Sequence, residues 1–165
     1  MSFFDIFKRN KVEKEEKRYP ITSEGTDGVV FICSLIQEQF SLITMSGGKI
    51  PPILHSSSSG KFEIDQWLAG YILGFYDAFL QSQNQKYDPN ALELIFSVFY
   101  GEEVAEESTK QCLLATLTLG DKSENFFKIA FDEFNDGVYE GGNNFMDWRD
   151  KKIQAPLAIY KKYLS

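Results

Sequence analysis

Four carboxylates in two short motifs are the residues whose spacing best fits chemistry. Glu103 and Glu106 are three positions apart, and Glu133 and Asp136 repeat that spacing after 26 intervening residues. On a helix, side chains at positions i and i+3 share a face. Two such helices facing each other would present four oxygen donors, the ligand type that Mg²⁺ prefers. A divalent-cation site built from these four residues is therefore one hypothesis for this chain.

This ExxE…ExxD layout resembles that of the all-α nucleoside triphosphate pyrophosphohydrolases, the MazG and dimeric dUTPase-like group, over about 35 residues. The resemblance implies that the four carboxylates bind Mg²⁺, which activates water against a nucleotide phosphoanhydride. The chain departs from that family after Asp136, where the family's helix runs on with apolar residues. Here Gly137, Gly141 and Gly142 predict an early end to the helix, and no cluster of Lys or Arg stands beside the motifs.

Three other side chains are candidates on type alone. Asp77 and Asp136 each follow an apolar Phe by two positions, and an inward-facing carboxylate must be paired or hydrogen-bonded. We expect both to point sideways and to accept bonds from helix caps, tyrosine hydroxyls or basic side chains. His55 is the only histidine, which excludes His-rich metal sites, and we expect it to be a solvated loop residue.

Apolar residues at three- and four-residue spacing predict the helices that would position these groups. Asp88-Pro89 is a strong helix start, because Asp caps free amides and Pro fits the first helical position. Gly70 and Gly74 share one side of the second helix, where another helix can approach closely. Gly141-Gly142 predicts a stop, and Pro156 a kink. The predicted helices span about 26–45, 64–83, 89–100, 102–119, 124–140 and 147–164.

A shift of 59 residues places the second predicted helix over the fifth. It aligns Phe75 to Phe79 with Phe134 to Val138, and it aligns the two proposed caps Asp88 and Asp147. Whether this similarity is a true duplication stays open at this point. The predicted fold is all-α, a single-domain bundle of about six helices that leaves room for two related αα-hairpins.

Two segments fall outside the predicted helices. Residues 1–18 form a charged N-terminal segment with a short amphipathic turn, and residues 19–165 form the helical domain. The face of Phe3, Ile6 and Phe7 indicates either a terminus that stays loose or docks on the body, or a hook for a membrane or partner. Residues 46–61 predict a long loop rich in Pro, Gly and Ser.

Composition sets the broad class. The 165 residues are 43% hydrophobic and 15% aromatic, enough for one core. The net charge of −7 disfavours nucleic-acid binding. Cys33 and Cys112 form no motif and predict reduced thiols in the cytoplasm. No run is long enough for stable membrane insertion, because Asp77 interrupts the longest one.

Two functional hypotheses follow, from different classes. The absence of a catalytic constellation favours a small acidic protein that binds another protein, as an inhibitor, immunity protein or adaptor does, without a cofactor. Its partner would carry a basic surface that complements the acidic charge. The alternative is the Mg²⁺-dependent pyrophosphohydrolase-like enzyme, with the four carboxylates as metal ligands. The identity of a partner and the oligomeric state do not follow from the sequence.

Overall fold

The computed structural model describes residues 21–50, 54–55, 62–63, 65–119 and 132–164. Residues 1–18 and the start of the predicted fifth helix lie outside this part. Within it the predicted all-α class is confirmed, with six helices and one pair of two-residue strands. The helices are α1 Ser23–Met45, α2 Gln66–Ser82, α3 Pro89–Tyr100, α4 Glu102–Leu119, α5 Asp132–Arg149 and α6 Ala158–Tyr163. Strands β1 Leu54–His55 and β2 Phe62–Glu63 pair antiparallel, one of them inside the predicted loop.

The first three helices begin at side chains that cap free backbone amides. Thr22 Oγ1 accepts from the Gly25 amide at 3.1 Å, and Asp65 Oδ1 accepts from Leu68 at 3.0 Å. Asp88 Oδ1 accepts from Asn90 at 2.9 Å, with Pro89 in the first helical turn. These bonds satisfy donors that would otherwise stay unpaired at a helix start. The start predicted at Asp88-Pro89 is thus confirmed.

The predicted end of the fifth helix is wrong. α5 passes through Gly141 and Gly142 and ends at Arg149, so Asp147 lies within α5 and does not open the last helix. The chain then continues without regular helix to α6, which begins two residues after Pro156. Neither Gly141 nor Gly142 has a positive φ, so neither adopts the left-handed conformation of a helix stop. The glycines serve a helix contact instead.

The glycines of α2 face the backbone of α5. A Cβ added at Gly70 would overlap the carbonyl oxygen of Phe134, and one added at Gly74 would overlap that of Val138. Gly74 lies one turn after Gly70, and Val138 one turn after Phe134, so the two helices run parallel. The close approach predicted for Gly70 and Gly74 is therefore present.

The glycines of α5 return the same contact. A Cβ at Gly137 would overlap the Trp67 carbonyl oxygen, and one at Gly141 would overlap that of Tyr71. Each helix thus sets two glycines one turn apart against carbonyl groups of the other. Such backbone approach allows Cα–H···O contacts and dense packing that any side chain would prevent.

The two helices correspond at an offset of 67 residues, and not at the 59 that the sequence suggested. Gly137 and Gly141 follow Gly70 and Gly74 by 67 positions, and the last residue of α5 follows that of α2 by the same number. At an offset of 59, Asp147 would have to be a helix cap like Asp88, but it lies within α5. The hairpin correspondence proposed from the 59-residue shift is therefore replaced.

The ends of α2 and α5 match bond for bond at this offset. Asn84 and Lys151, 67 apart, have φ of 56° and 59°, and they are the two non-glycine residues with positive φ in the described chain. The Asn84 amide donates to the Gln81 carbonyl at 3.1 Å, and the Lys151 amide to that of Trp148 at 3.0 Å. The preceding and following amides also find equivalent acceptors. The shared geometry therefore covers each helix and its termination.

A buried polar chain joins four helices at the centre. Gln39 Nε2 of α1 lies 3.2 Å from the Tyr71 hydroxyl oxygen of α2, and that hydroxyl donates to Asn144 Oδ1 of α5 at 2.7 Å. The amide of Ile159 donates to Gln39 Oε1 at 2.9 Å, and that of Ala158 to Asn144 Oδ1 at 3.4 Å. Side chains of α1 and α5 thus satisfy the first amides of α6, whose own N-cap residue makes no side-chain bond.

Most of the apolar face of α1 lies in the core. Ile32, Ile36 and Ile43 are fully buried. Among the described helices α1 alone is long and apolar enough to cross a membrane by length and composition, and 44% of that stretch is buried inside the fold. Apolar side chains on its other side, among them Val30 and Phe31, reach the surface.

Candidate functional site

The four predicted metal ligands lie on exposed surface. Glu103 and Glu106 are on α4, and Glu133 and Asp136 are on α5. The Lys110 ammonium donates to Glu106 Oε1 at 2.7 Å along α4. No group of three or more His, Cys, Asp or Glu side chains able to hold a metal occurs within the described residues. The four carboxylates are therefore not gathered into one site, although α5 does run on past Asp136.

The other candidates also occupy ordinary positions. Asp77 is half-buried, and its Oδ2 accepts from Gln81 Nε2 at 2.6 Å, one turn along α2. His55 takes part in the two-residue pairing opposite Phe62. Burial raises the pKa of the Cys33 thiol to about 11 and that of Cys112 to about 12. Both thiols are free and stay protonated at neutral pH, so neither is an activated nucleophile.

A groove with an aromatic floor opens where α1 begins and α2 and α5 end. The Phe31 ring centroid lies 5.5 Å from that of Phe79 and 5.8 Å from that of Trp148. Phe145 lies 6.1 Å from Phe79 and 6.0 Å from Trp148. The four rings form one connected cluster, and 36% of Phe31 remains exposed. The groove has a volume of about 470 Å³.

Gly28 determines how deeply the floor sits. It is buried on α1, and an added Cβ would lie 2.9 Å from Cε1 of Phe79. Any larger residue would push the Phe79 ring away from α1 and out of contact with Phe31. A single glycine thus allows an aromatic ring of α2 to lie against the backbone of α1.

The rim of the groove is acidic. Glu24 and Asp27 lie three positions apart on α1, and both side chains are exposed. The one basic residue among the described lining residues, Arg149, has its guanidinium 2.8 Å from Asp150 Oδ1. Its charge is therefore already partly compensated within the protein. An aromatic floor beside two carboxylates suits a ligand that is both apolar and positively charged.

Sequence reasoning missed this groove. Phe31 is absent from the predicted core face of α1, and Trp148 lay in what appeared to be a loop before the last helix. The available signal was a large aromatic residue on the otherwise polar side of an amphipathic helix, close to two acids. The rings meet only because α5 continues for two turns beyond its predicted end.

The opposite end of the parallel pair holds a second polar cluster. The Tyr163 hydroxyl donates to Asp65 Oδ1 at 2.8 Å, and burial together with this carboxylate raises the pKa of Tyr163. Lys162 Nζ lies 4.9 Å from the centre of the Trp67 ring. Because Asp65 also caps α2, these contacts attach α6 to the start of α2 and serve structure.

The chain stands apart from known proteins in sequence and in fold. No protein-family model, no curated protein and no solved structure matches it. The functional argument therefore depends on the geometry of the groove alone.

Proposed function

We propose that this protein acts by binding another protein, and that the aromatic groove receives a segment of that partner. The observation that carries the proposal is the exposed cluster of Phe31, Phe79, Phe145 and Trp148 beside Glu24 and Asp27. Aromatic residues in a concave site are typical anchors of polypeptide recognition.

The rim defines the chemistry of the partner segment. One or two large apolar side chains would cover the rings, and adjacent Lys or Arg would face Glu24 and Asp27. The net charge of −7 adds a longer-range attraction for a basic partner. Because these carboxylates are exposed, salt should weaken the attraction.

The lining also argues against chemistry in the groove. The ionisable groups among its described lining residues are Glu24, Asp27 and Arg149, and its remaining polar side chains are Ser82, Gln83 and Gln85. None of the last three is paired with a general base that the described contacts show. The arrangement fits recognition, and we propose a location in the reducing cytoplasm, where the two free thiols would persist.

A random peptide library selected on the immobilised full chain tests this proposal. We expect enriched peptides to share an aromatic or large aliphatic residue next to Lys or Arg, and to bind with micromolar affinity. Asp27→Lys should weaken their binding at least about tenfold, since attraction becomes repulsion at a partly desolvated rim. Fluorescence polarisation at two salt concentrations provides the measurement.

Glu38→Lys is the matched control, because it makes the same charge change at an exposed position of α1 away from the groove. Peptides that bind both variants equally, or a selection with no shared chemistry, would contradict the groove as the binding site.

A further inference from the structure

The groove lies beside the point where the described chain begins. Glu24, in the first turn of α1, lines it, and the described residues start at Ile21. The residues before that point combine two properties that match the groove. Phe3, Phe4, Ile6 and Phe7 are apolar, and residues 8–18 hold six bases against three acids.

We propose that this N-terminal segment of the same chain binds in the aromatic groove and must be displaced by the partner. The apolar residues would cover Phe31 and Trp148, and the bases that follow would face Glu24 and Asp27. The inference rests on the proposed function in taking the groove as the binding surface, and it adds an internal competitor for that surface.

The charges of the two elements are complementary. The protein as a whole is acidic, whereas residues 8–18 carry a net charge of +3. The groove rim carries two exposed carboxylates, and its arginine already contacts Asp150. A basic segment is therefore attracted to this rim, and an acidic segment of the same length would be repelled.

The chain length permits the contact. Fourteen residues separate Phe7 from Ile21, and an extended chain spans up to about 3.3–3.6 Å per residue. That gives a reach of roughly 46–50 Å, more than enough to fold back onto the first two turns of α1. A tether of this length also maintains a local concentration of the segment on the order of millimolar. A micromolar or weaker intrinsic affinity is then enough for occupancy.

Competition follows from this arrangement. A partner segment with the same pattern, apolar residues followed by Lys or Arg, must replace the chain's own segment. Removing the apolar residues of the segment should therefore tighten binding of groove-directed peptides. Partner affinity thus depends on residues that lie outside the groove.

Paramagnetic relaxation in the full chain tests the contact without any partner. A nitroxide is attached at Ser2→Cys, where the new thiol is labelled selectively because burial holds Cys33 and Cys112 protonated. The two tryptophan indoles report on the result, with Trp148 in the groove and Trp67 at the other end of the helix pair. Trp67 lies level with Gly137, which places it about 16 Å from Trp148 along the helix axis.

We expect loss of the Trp148 indole resonance while that of Trp67 persists, with Trp148→Phe identifying the peaks. Replacing Phe3 and Phe7 by Ser in the labelled full chain should restore the Trp148 resonance. Asp27→Lys should restore much of it, and Glu38→Lys, the same change outside the groove, should not. High salt should act in the same direction as Asp27→Lys.

Several outcomes would overturn the inference. Equal broadening of both indoles, or of neither, would show that the segment has no preferred place in the groove. Broadening that appears only between labelled and isotope-labelled copies in a mixture would make a second copy the occupant. If the segment docks but no library peptide binds, the proposed function fails while this contact stands. If peptides bind and Trp148 is unaffected, the inference fails alone.

Discussion

α2 and α5 follow the same backbone geometry with very different side chains. Both carry two glycines one turn apart, both end in the same hydrogen-bond pattern, and both continue into a residue with positive φ. Yet twelve of the 17 residues of α2 are buried, whereas four of the 18 residues of α5 are buried. The shared glycine contact, and not shared hydrophobicity, is what places the two helices together.

This difference explains why the same feature was read in two ways. In α2 the glycines sit among apolar residues, so an interruption of the helix is unlikely to be inferred and a close contact is. In α5 they sit among Glu140, Asn143 and Asn144, where glycine ordinarily signals a stop. Helix propensity alone disfavours α5, and contact with α2 overrides it.

Substitution of the contact glycines should have the largest effect. Gly74→Ala and Gly141→Ala each place a methyl group where a backbone carbonyl of the other helix lies, so the helices must separate. We expect each change to lower the free energy of unfolding by at least about 3 kcal/mol, through overpacking that backbone cannot relieve. Urea denaturation monitored by circular dichroism measures it.

Gly142→Ala is the matched control for this experiment. Its added Cβ would meet the Gly74 carbonyl oxygen at 3.7 Å, an ordinary contact, and alanine favours the helix by about 1 kcal/mol. It should therefore leave stability unchanged or raised. If Gly141→Ala and Gly142→Ala behaved alike, the parallel backbone contact would be wrong.

Removing one hydroxyl from the central chain should have an intermediate effect. Tyr71→Phe leaves Gln39 Nε2 and Asn144 Oδ1 without their partner in a fully buried place. We expect a loss of about 1–3 kcal/mol, the cost of buried polar groups left unsatisfied. Tyr139→Phe on α5 is the control, because Tyr139 is 74% exposed. Equal thermal melts for the two variants would remove the network from the account of stability.

The matched helix ends offer the smallest and sharpest difference. Lys151 and Asn84 adopt the same left-handed backbone, which is strained for lysine and tolerated by asparagine. We expect Lys151→Gly to raise stability by about 0.5–1 kcal/mol and Asn84→Gly to change it by less than about 0.5 kcal/mol. Chemical denaturation of both variants compares them, and a larger gain at position 84 would contradict the equivalence of the two ends.

The sequence predicted those parts of the fold that depend on local signals. The periodic apolar residues and the Asp88-Pro89 start give α1 to α4 nearly within their observed bounds. The end of α5 escaped because it depends on a helix more than 60 residues away, through a contact with no side-chain signature. The groove escaped for the same reason, since its floor unites Phe31, Phe79 and Trp148 from three separate helices.

The paired glycines carry a consequence for ancestry. In the parallel pair, a glycine of α2 meets the backbone of α5 just as the equivalent glycine of α5 meets that of α2. This reciprocity is the signature of an isologous interface, in which two identical subunits meet across a two-fold axis. A chain of half this length, with one such helix, would form the same pair with a second copy of itself. Tandem fusion of two copies would then free each half to diverge, one toward a buried strut and the other toward a polar face that completes a groove.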